Sequence, residues 1–127
     1  MASAVLDASA LLALLNAEPG AEAVAEALPQ VVISAVNLSE VVAKLCGAGM
    51  PEKVVREVFE PLGIDVVPFS EEQAYRAGAL HAATQGAGIS LGDRACLSLG
   101  LMLDLAVLTA DTSWTQLKVG ARIRVIR

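Results

Sequence analysis

Aromatic side chains are scarce in this 127-residue sequence, in which Phe, Trp and Tyr together make up 3%. Hydrophobic residues nevertheless account for 55%, so we expect an interior of Ala, Val and Leu packed between close layers. A chain of this length suits one compact domain, residues 1–127, that buries about two thirds of the surface its unfolded form exposes. Two isolated rings, Phe69 and Trp114, are too few to form a platform for stacking nucleic-acid bases.

Cysteine and histidine are also rare, with two Cys and one His in the whole chain. Cys46 and Cys96 have neither C-x-x-C nor Cys/His spacing, so we expect buried free thiols rather than a disulfide or a zinc site. His81 has no evident catalytic partner, and a structural role is expected for it. These absences exclude metal chemistry based on sulfur or imidazole ligands.

Long apolar runs of membrane-spanning length are missing. Residues 4–15 are interrupted by Asp7 and follow no basic residue, unlike a secretory signal, and residues 95–110 are too short to cross a bilayer. We therefore expect a cytoplasmic protein without membrane contact. The mean hydropathy of +0.60 is high for a small domain, which indicates that some apolar surface meets a partner.

Short apolar runs alternate with longer amphipathic ones along the chain. The runs predict strands near residues 4–6, 31–33, 64–67, 105–109 and 123–126. Helical patterns lie between them at roughly 8–16, 20–28, 36–47, 51–60, 70–85 and 91–103, with a short one near 112–118. Continuously apolar strands separated by helices predict a three-layer α/β domain, in which helices flank a central parallel five-stranded sheet.

Four carboxylates follow strand-like runs or open the helix after one: Asp7, Glu40, Asp93 and Asp111. In open parallel sheets, ligands bind beyond the carboxyl ends of the strands, where the chain switches from one side to the other. We therefore expect the four acids to meet at one edge of the sheet.

Each acid also has a purely local explanation. Asn37-Leu38-Ser39-Glu40 and Ser90-Leu91-Gly92-Asp93 have the spacing of a capping box. Asp7 and Asp111 can each cap the helix that follows. Capping and metal binding are compatible, because an acid in the first turn can still point toward a cation.

Clustered carboxylates repel one another and acquire raised pKa values unless a positive charge lies among them. Oxygen ligands without a Cys/His set favour Mg²⁺ or Mn²⁺ over zinc. A divalent cation in such a site lowers the pKa of a bound water, which suits hydrolysis of phosphodiester bonds.

The sequence resembles the PIN-domain nucleases, and among them the VapC-type toxins of type II toxin–antitoxin pairs. The resemblance rests on V-L-D-A-S-A, I-S-A-V-N-L-S-E-V, I-S-L-G-D-R-A-C-L and V-L-T-A-D-T-S-W, which follow one another in the family's order. It implies one PIN domain over residues 1–127 and a Mg²⁺- or Mn²⁺-dependent endoribonuclease. Asp7, Glu40, Asp93 and Asp111 would then be the catalytic and metal-binding acids, supported by the hydroxyls of Ser9 and Thr109.

The same resemblance implies partners. Family members form homodimers, cleave RNA and are silenced by a small antitoxin that lays a helix along an apolar groove. The surplus of Ala, Leu and Val fits such a surface, and we expect it on the helices predicted at 36–47 and 51–60.

Positive charge is in short supply for a nuclease, since the net charge is −5 and the isoelectric point about 4.7. Four of the negative charges are the proposed ligands, which divalent cations would neutralise. Four of the nine basic residues lie in the last ten positions, where they could contact RNA phosphates: Lys118, Arg122, Arg124 and Arg127. A solvated terminal strand without such a role is the simpler explanation. Arg94, next to Asp93, is a further candidate, with a structural ion pair as its alternative.

Two other functions fit parts of the pattern. A receiver domain has a similar length and an acidic Mg²⁺ pocket, but it requires adjacent acids after its first strand and a lysine after its last. A catalytically silent module that keeps the PIN fold and only binds is the second alternative. A phosphatase with an aspartyl nucleophile requires D-x-D, whereas residues 7–9 are Asp-Ala-Ser.

Overall fold

A computed structural model describes all of residues 1–127 and contains five strands and seven α-helices. The strands are β1 (Ala4–Leu6), β2 (Val31–Ser34), β3 (Asp65–Val67), β4 (Ala106–Thr109) and β5 (Ile123–Val125). The helices are α1 (Ala8–Leu15), α2 (Ala21–Ala27), α3 (Ala35–Gly47), α4 (Glu52–Phe59), α5 (Glu71–Ala79), α6 (His81–Thr84) and α7 (Leu91–Leu103). Two 3-10 turns cover Glu60–Leu62 and Thr112–Gln116. None of the helices has both the length and the apolar character that a bilayer crossing requires.

The five strands are parallel and lie in the order β3-β2-β1-β4-β5. The chain builds one half of the sheet outward from β1 through β2 to β3, and then returns to the far side of β1 with β4. This reversal creates a crevice beyond the carboxyl ends of β1 and β4, where open parallel sheets bind ligands. Receiver domains have the order 2-1-3-4-5, so the strand order excludes that alternative.

Alternate residues of the central strand contribute to two separate cores. Ala4 and Leu6 pack with the inner residues of α1 to α4 on one face of the sheet. Val5 packs on the other face with residues of α7, among them Leu97, and with Trp114. The predicted three-layer arrangement is thus confirmed. Trp114 is the only aromatic residue in either buried cluster, as the composition predicts.

Three local predictions differ from the structure. The helix predicted at 70–85 is divided into α5 and α6, because the Leu80 amide closes a tighter turn onto the Ala77 carbonyl at 3.2 Å. Helix α3 begins after Ser34, whose hydroxyl accepts a hydrogen bond from the Val36 amide, so Asn37 is not its cap. Both cysteines are free, but only Cys96 is buried, and Cys46 is exposed.

Gly100 allows α7 to approach the sheet closely. A Cβ at this position would lie 2.5 Å from Cγ2 of Val107 and 3.2 Å from the carbonyl oxygen of Leu105. We expect Gly100→Ala to lower the free energy of unfolding by about 1–3 kcal/mol through overpacking, as measured by urea denaturation. Gly78→Ala is the control, because nothing lies within 4 Å of a Cβ there and alanine favours the helix. Equal stability of the two variants would contradict a tight contact between α7 and β4.

Candidate metal centre

Asp7 lies at the carboxyl end of the central strand and is 5% exposed. Its Oδ2 accepts hydrogen bonds from the Ser9 hydroxyl at 2.6 Å and from the Thr109 hydroxyl at 2.9 Å. Burial raises the pKa of Asp7 from its ordinary value of 3.8, and the charge of Asp93 acts in the same direction. Asp7 is therefore a buried acid whose ionised form would be stabilised by a nearby positive charge.

The hydroxyls of Ser9 and Thr109 connect the ends of two strands and the start of a helix. Each hydroxyl donates its one hydrogen bond to Asp7, so its oxygen remains available to accept a hydrogen bond from another group. The Ser9 oxygen accepts from the amide of Ala110 at 2.9 Å, and the Thr109 oxygen accepts from the amide of Asp111 at 3.1 Å. The structure thus places both supporting residues of the sequence prediction beside Asp7.

Glu40 lies in α3, where Asn37 holds it toward α7. The fully buried Asn37 donates through Nδ2 to Glu40 Oε1 at 2.8 Å and to the carbonyl oxygen of Gly92 at 2.9 Å. Both partners are acceptors, so the amide nitrogen and not its oxygen must face them. Burial raises the pKa of Glu40 from its ordinary value of 4.5, and the charges of Asp7 and Asp93 add to this effect.

Gly92 provides the space that the Glu40 side chain occupies. A Cβ at Gly92 would overlap all three atoms of the Glu40 carboxylate. Any side chain at position 92 would therefore displace this carboxylate from the first turn of α7.

Asp93 and Asp111 take part in local caps. Asp93 Oδ2 accepts from the Ser90 amide at 2.9 Å and the Ser90 hydroxyl accepts from the Asp93 amide at 3.2 Å, which is the predicted capping box. Asp111 Oδ1 accepts from the amide and the hydroxyl of Ser113 at 2.9 and 2.6 Å, at the start of the second 3-10 turn. Asp111 is exposed, in contrast to Asp7.

All four acids line one pocket of about 230 Å³ at the crevice between β1 and β4. Hydrogen bonds of ordinary geometry engage one oxygen of each carboxylate, and the second oxygen of each is left for a ligand. Such a donor set of carboxylate oxygens fits Mg²⁺ or Mn²⁺. No three His, Cys, Asp or Glu side chains in the structure converge closely enough to hold an ion as they stand, and the local caps and mutual repulsion both favour that separation.

The predicted RNA contacts do not line this pocket. Arg122 donates to the Asp104 carbonyl oxygen at 2.6 Å, just before β4 begins, and Arg124 lines a hollow with the first residues of β1 and β4. Both lie toward the amino ends of the strands, opposite the acids, and Lys118 lies in the loop that enters β5. Arg94 donates to the Ile89 carbonyl oxygen at 3.4 Å and forms no ion pair, so the structure does not contain the ion pair considered as the alternative to an RNA contact.

Three residues of the site were missed at the level of sequence: Asn37, Gly92 and Lys44. Lys44 is the only basic residue that lines the acidic pocket. Its position one helical turn after Glu40 was the available signal, because residues four apart lie on the same face of a helix. Asn37 and Glu40 lie one turn apart in the same helix, but nothing in the sequence shows that Gly92 of the distant helix α7 lies against both of them.

The sequence profile of the PIN domain family matches residues 4–120, and the chain belongs to this family. No individual curated protein matches the sequence at a significant level. The fold is similar to that of a toxin–antitoxin complex from Klebsiella pneumoniae, with a TM-score of 0.77, 22% identity and 98% of each chain covered. It is also similar to DNA-bound VapBC from Salmonella typhimurium, with a TM-score of 0.78, 18% identity and 100% of each chain covered.

Removal of the Asp7 charge should stabilise the metal-free protein. Because the folded-state pKa of Asp7 is raised, its contribution makes the protein less stable as pH rises from the ordinary value of 3.8 through the folded value. Asp7→Asn keeps an oxygen for Ser9 and Thr109 but has no charge to bury. With EDTA present at pH 7, we expect its Tm to rise, and in a domain of this size each kcal/mol of added stability corresponds to roughly 2–5 °C. A gain that is larger at pH 4 than at pH 7 would contradict this explanation.

Gly92→Ala should weaken metal binding without unfolding the domain. The new methyl group displaces the Glu40 carboxylate, and disturbing a group that orients a ligand typically lowers metal affinity by about tenfold or more. Affinity is read from the rise in Tm as Mn²⁺ is added. Gly47→Ala is the matched control, since a Cβ there meets nothing within 4 Å. If both variants respond to Mn²⁺ alike, Glu40 is not a ligand.

Proposed function

We propose that this protein is a Mg²⁺- or Mn²⁺-dependent endoribonuclease and the toxin of a toxin–antitoxin pair, with residues 1–127 forming its single PIN domain. The observation that carries the proposal is the position of Asp7, Glu40, Asp93 and Asp111 around one pocket at the switch point of the sheet. Membership of the PIN family and the similarity to VapBC complexes support it.

In this proposal the four metal-binding acids differ in how firmly their carboxylates are held. Asp7 is fixed by two hydroxyl donors and is the most rigid ligand, whereas Asp111 is exposed and held only at the start of a 3-10 turn. Glu40 is set by Asn37, and Asp93 by its capping box. A divalent cation bound there supplies the positive charge that activates water and offsets charge at the cleaved phosphate.

An antitoxin is the proposed protein partner, and α3 and α4 offer a surface for it. The groove between these helices has a volume of about 370 Å³ and is lined by four hydrophobic side chains: Leu38, Val42, Val55 and Phe59. Its rim includes the ion pair of Arg56 with Glu52 at 2.9 Å. An apolar floor with a charged rim suits the apolar face of an amphipathic helix. The similar structures are themselves toxin–antitoxin complexes.

A homodimer is also part of the proposal. Helices α5 and α7 expose the large apolar side chains of Tyr75, Leu91, Leu101 and Leu103, by 71%, 53%, 37% and 43% respectively. A second copy of the chain would remove this apolar area from water.

Asp93→Asn tests the nuclease directly. The asparagine oxygen can still accept from the Ser90 amide, so the capping box and the fold should persist while a metal ligand is weakened. We expect the unmodified protein to cleave single-stranded RNA in the presence of Mn²⁺ and to lose this activity when EDTA is added. The cleavage rate of the variant should be lower by at least about 100-fold. Asp104→Asn is the control, because this exposed acid lies at the end of α7 away from the pocket.

The same variants distinguish a toxin from a silent binding module. Expression of the unmodified protein in a bacterial host should arrest growth, and expression of Asp93→Asn should not. Equal growth in both cases, together with RNA that remains intact in vitro, would favour a module that binds without cleaving.

A further inference from the structure

Lys44 is a free cation at the mouth of an acidic site. It lies in α3 and is exposed, and it lines the pocket together with all four acids. None of the four ion pairs in the structure includes it, so no carboxylate oxygen lies within 4.0 Å of its ammonium group. The ammonium group therefore has no carboxylate in direct contact, although its charge acts at longer range on Glu40 one helical turn away.

A second hollow continues directly from the acidic pocket. It has a volume of about 400 Å³ and shares Ser9, Leu12, Lys44 and Asp111 with the pocket. The hollow, but not the acidic pocket, is also lined by Arg127, whose side chain is 40% exposed. The pocket and the hollow adjoin at these shared residues and together form the Lys44 groove, whose lining includes the four acids, Lys44 and Arg127.

We propose that the Lys44 groove binds the RNA backbone beside the cleaved bond, with Lys44 on the phosphate nearest the metal and Arg127 on a phosphate farther along. This inference rests on the proposed ribonuclease function. Four carboxylates repel a polyanion, so a substrate needs positive charge close to them. Arg122 and Arg124 lie toward the opposite edge of the sheet, and Lys44 is the only cation that reaches the pocket.

Glu18 offers a variant that should strengthen RNA binding, in contrast to variants of Lys44 and Arg127 that should weaken it. This residue also lines the hollow, and its Oε1 lies 3.8 Å from Nη2 of Arg127. Both side chains are partly exposed, so the pair is weak and a phosphate can replace the carboxylate. If RNA occupies the groove, Glu18 competes with it for Arg127, and removal of the Glu18 charge should favour binding.

The experiment measures binding of a fluorescein-labelled single-stranded RNA by anisotropy, with Mg²⁺ present and Asp93→Asn as background to prevent cleavage. We expect Lys44→Met and Arg127→Gln each to weaken binding about three- to tenfold, and to lower the slope of log Kd against log salt by about 0.7 per lost phosphate contact. Glu18→Gln should tighten binding. Lys44→Arg, which keeps the charge, should bind nearly as well as the background protein.

Lys53→Met is the matched control, since Lys53 is an exposed lysine on α4 that does not line the groove. The groove is wrong if Lys44→Met and Lys53→Met behave alike, or if the background protein binds no RNA at low salt. If RNA is bound through Lys44 but is not cleaved by the unmodified protein, the ribonuclease proposal is wrong and the proposal of RNA binding in the Lys44 groove still holds.

Discussion

The structure depends on one buried carboxylate placed between two hydroxyls. Asp7 follows the central strand, and the hydroxyls of Ser9 and Thr109 donate hydrogen bonds to it. These hydroxyls also accept hydrogen bonds from the two backbone amides that directly follow β4. These bonds hold β1, α1 and β4 in register at the crevice, but they only partly offset the loss of water around a charge. The same residue that fixes the geometry of the site therefore favours a bound cation, because a positive charge removes the cost of keeping Asp7 ionised.

The scarcity of large side chains explains how the remaining acids come to line the same pocket as Asp7. Helix α7 lies close to β4 because position 100 is glycine, and Glu40 fits against α7 because position 92 is glycine. Asn37 then ties α3 to α7 with two hydrogen bonds from one buried amide group. A core made of larger rings would separate these layers, and Glu40 and Asp93 would move apart. The small side chains of this sequence are therefore what allows the geometry of the site.

Sequence reasoning predicted the layers, the five parallel strands and the edge at which the acids gather, because each follows from local periodicity and from the topology of parallel sheets. It was wrong about the cap of α3, since Ser and Asn are both common capping residues and only the extended backbone of Ser34 identifies the cap. It also gave no sign of the space at Gly92 or of the exposure of Cys46. Such features depend on contacts between helices distant in the chain, which no local pattern encodes.

The placement of basic residues follows a different logic from the placement of acids. The four acids line one pocket because the topology of a parallel sheet brings the ends of its strands together, whereas a basic residue reaches that pocket only where its own element carries it there. Arg122 and Arg124 are close together in the sequence, but they lie toward the amino ends of the strands, away from the acids. Lys44 is the only basic residue of α3, and it adjoins the acids because it lies on the same face of this helix as Glu40. For a chain of net charge −5, local geometry and not total charge therefore decides where a polyanion can approach.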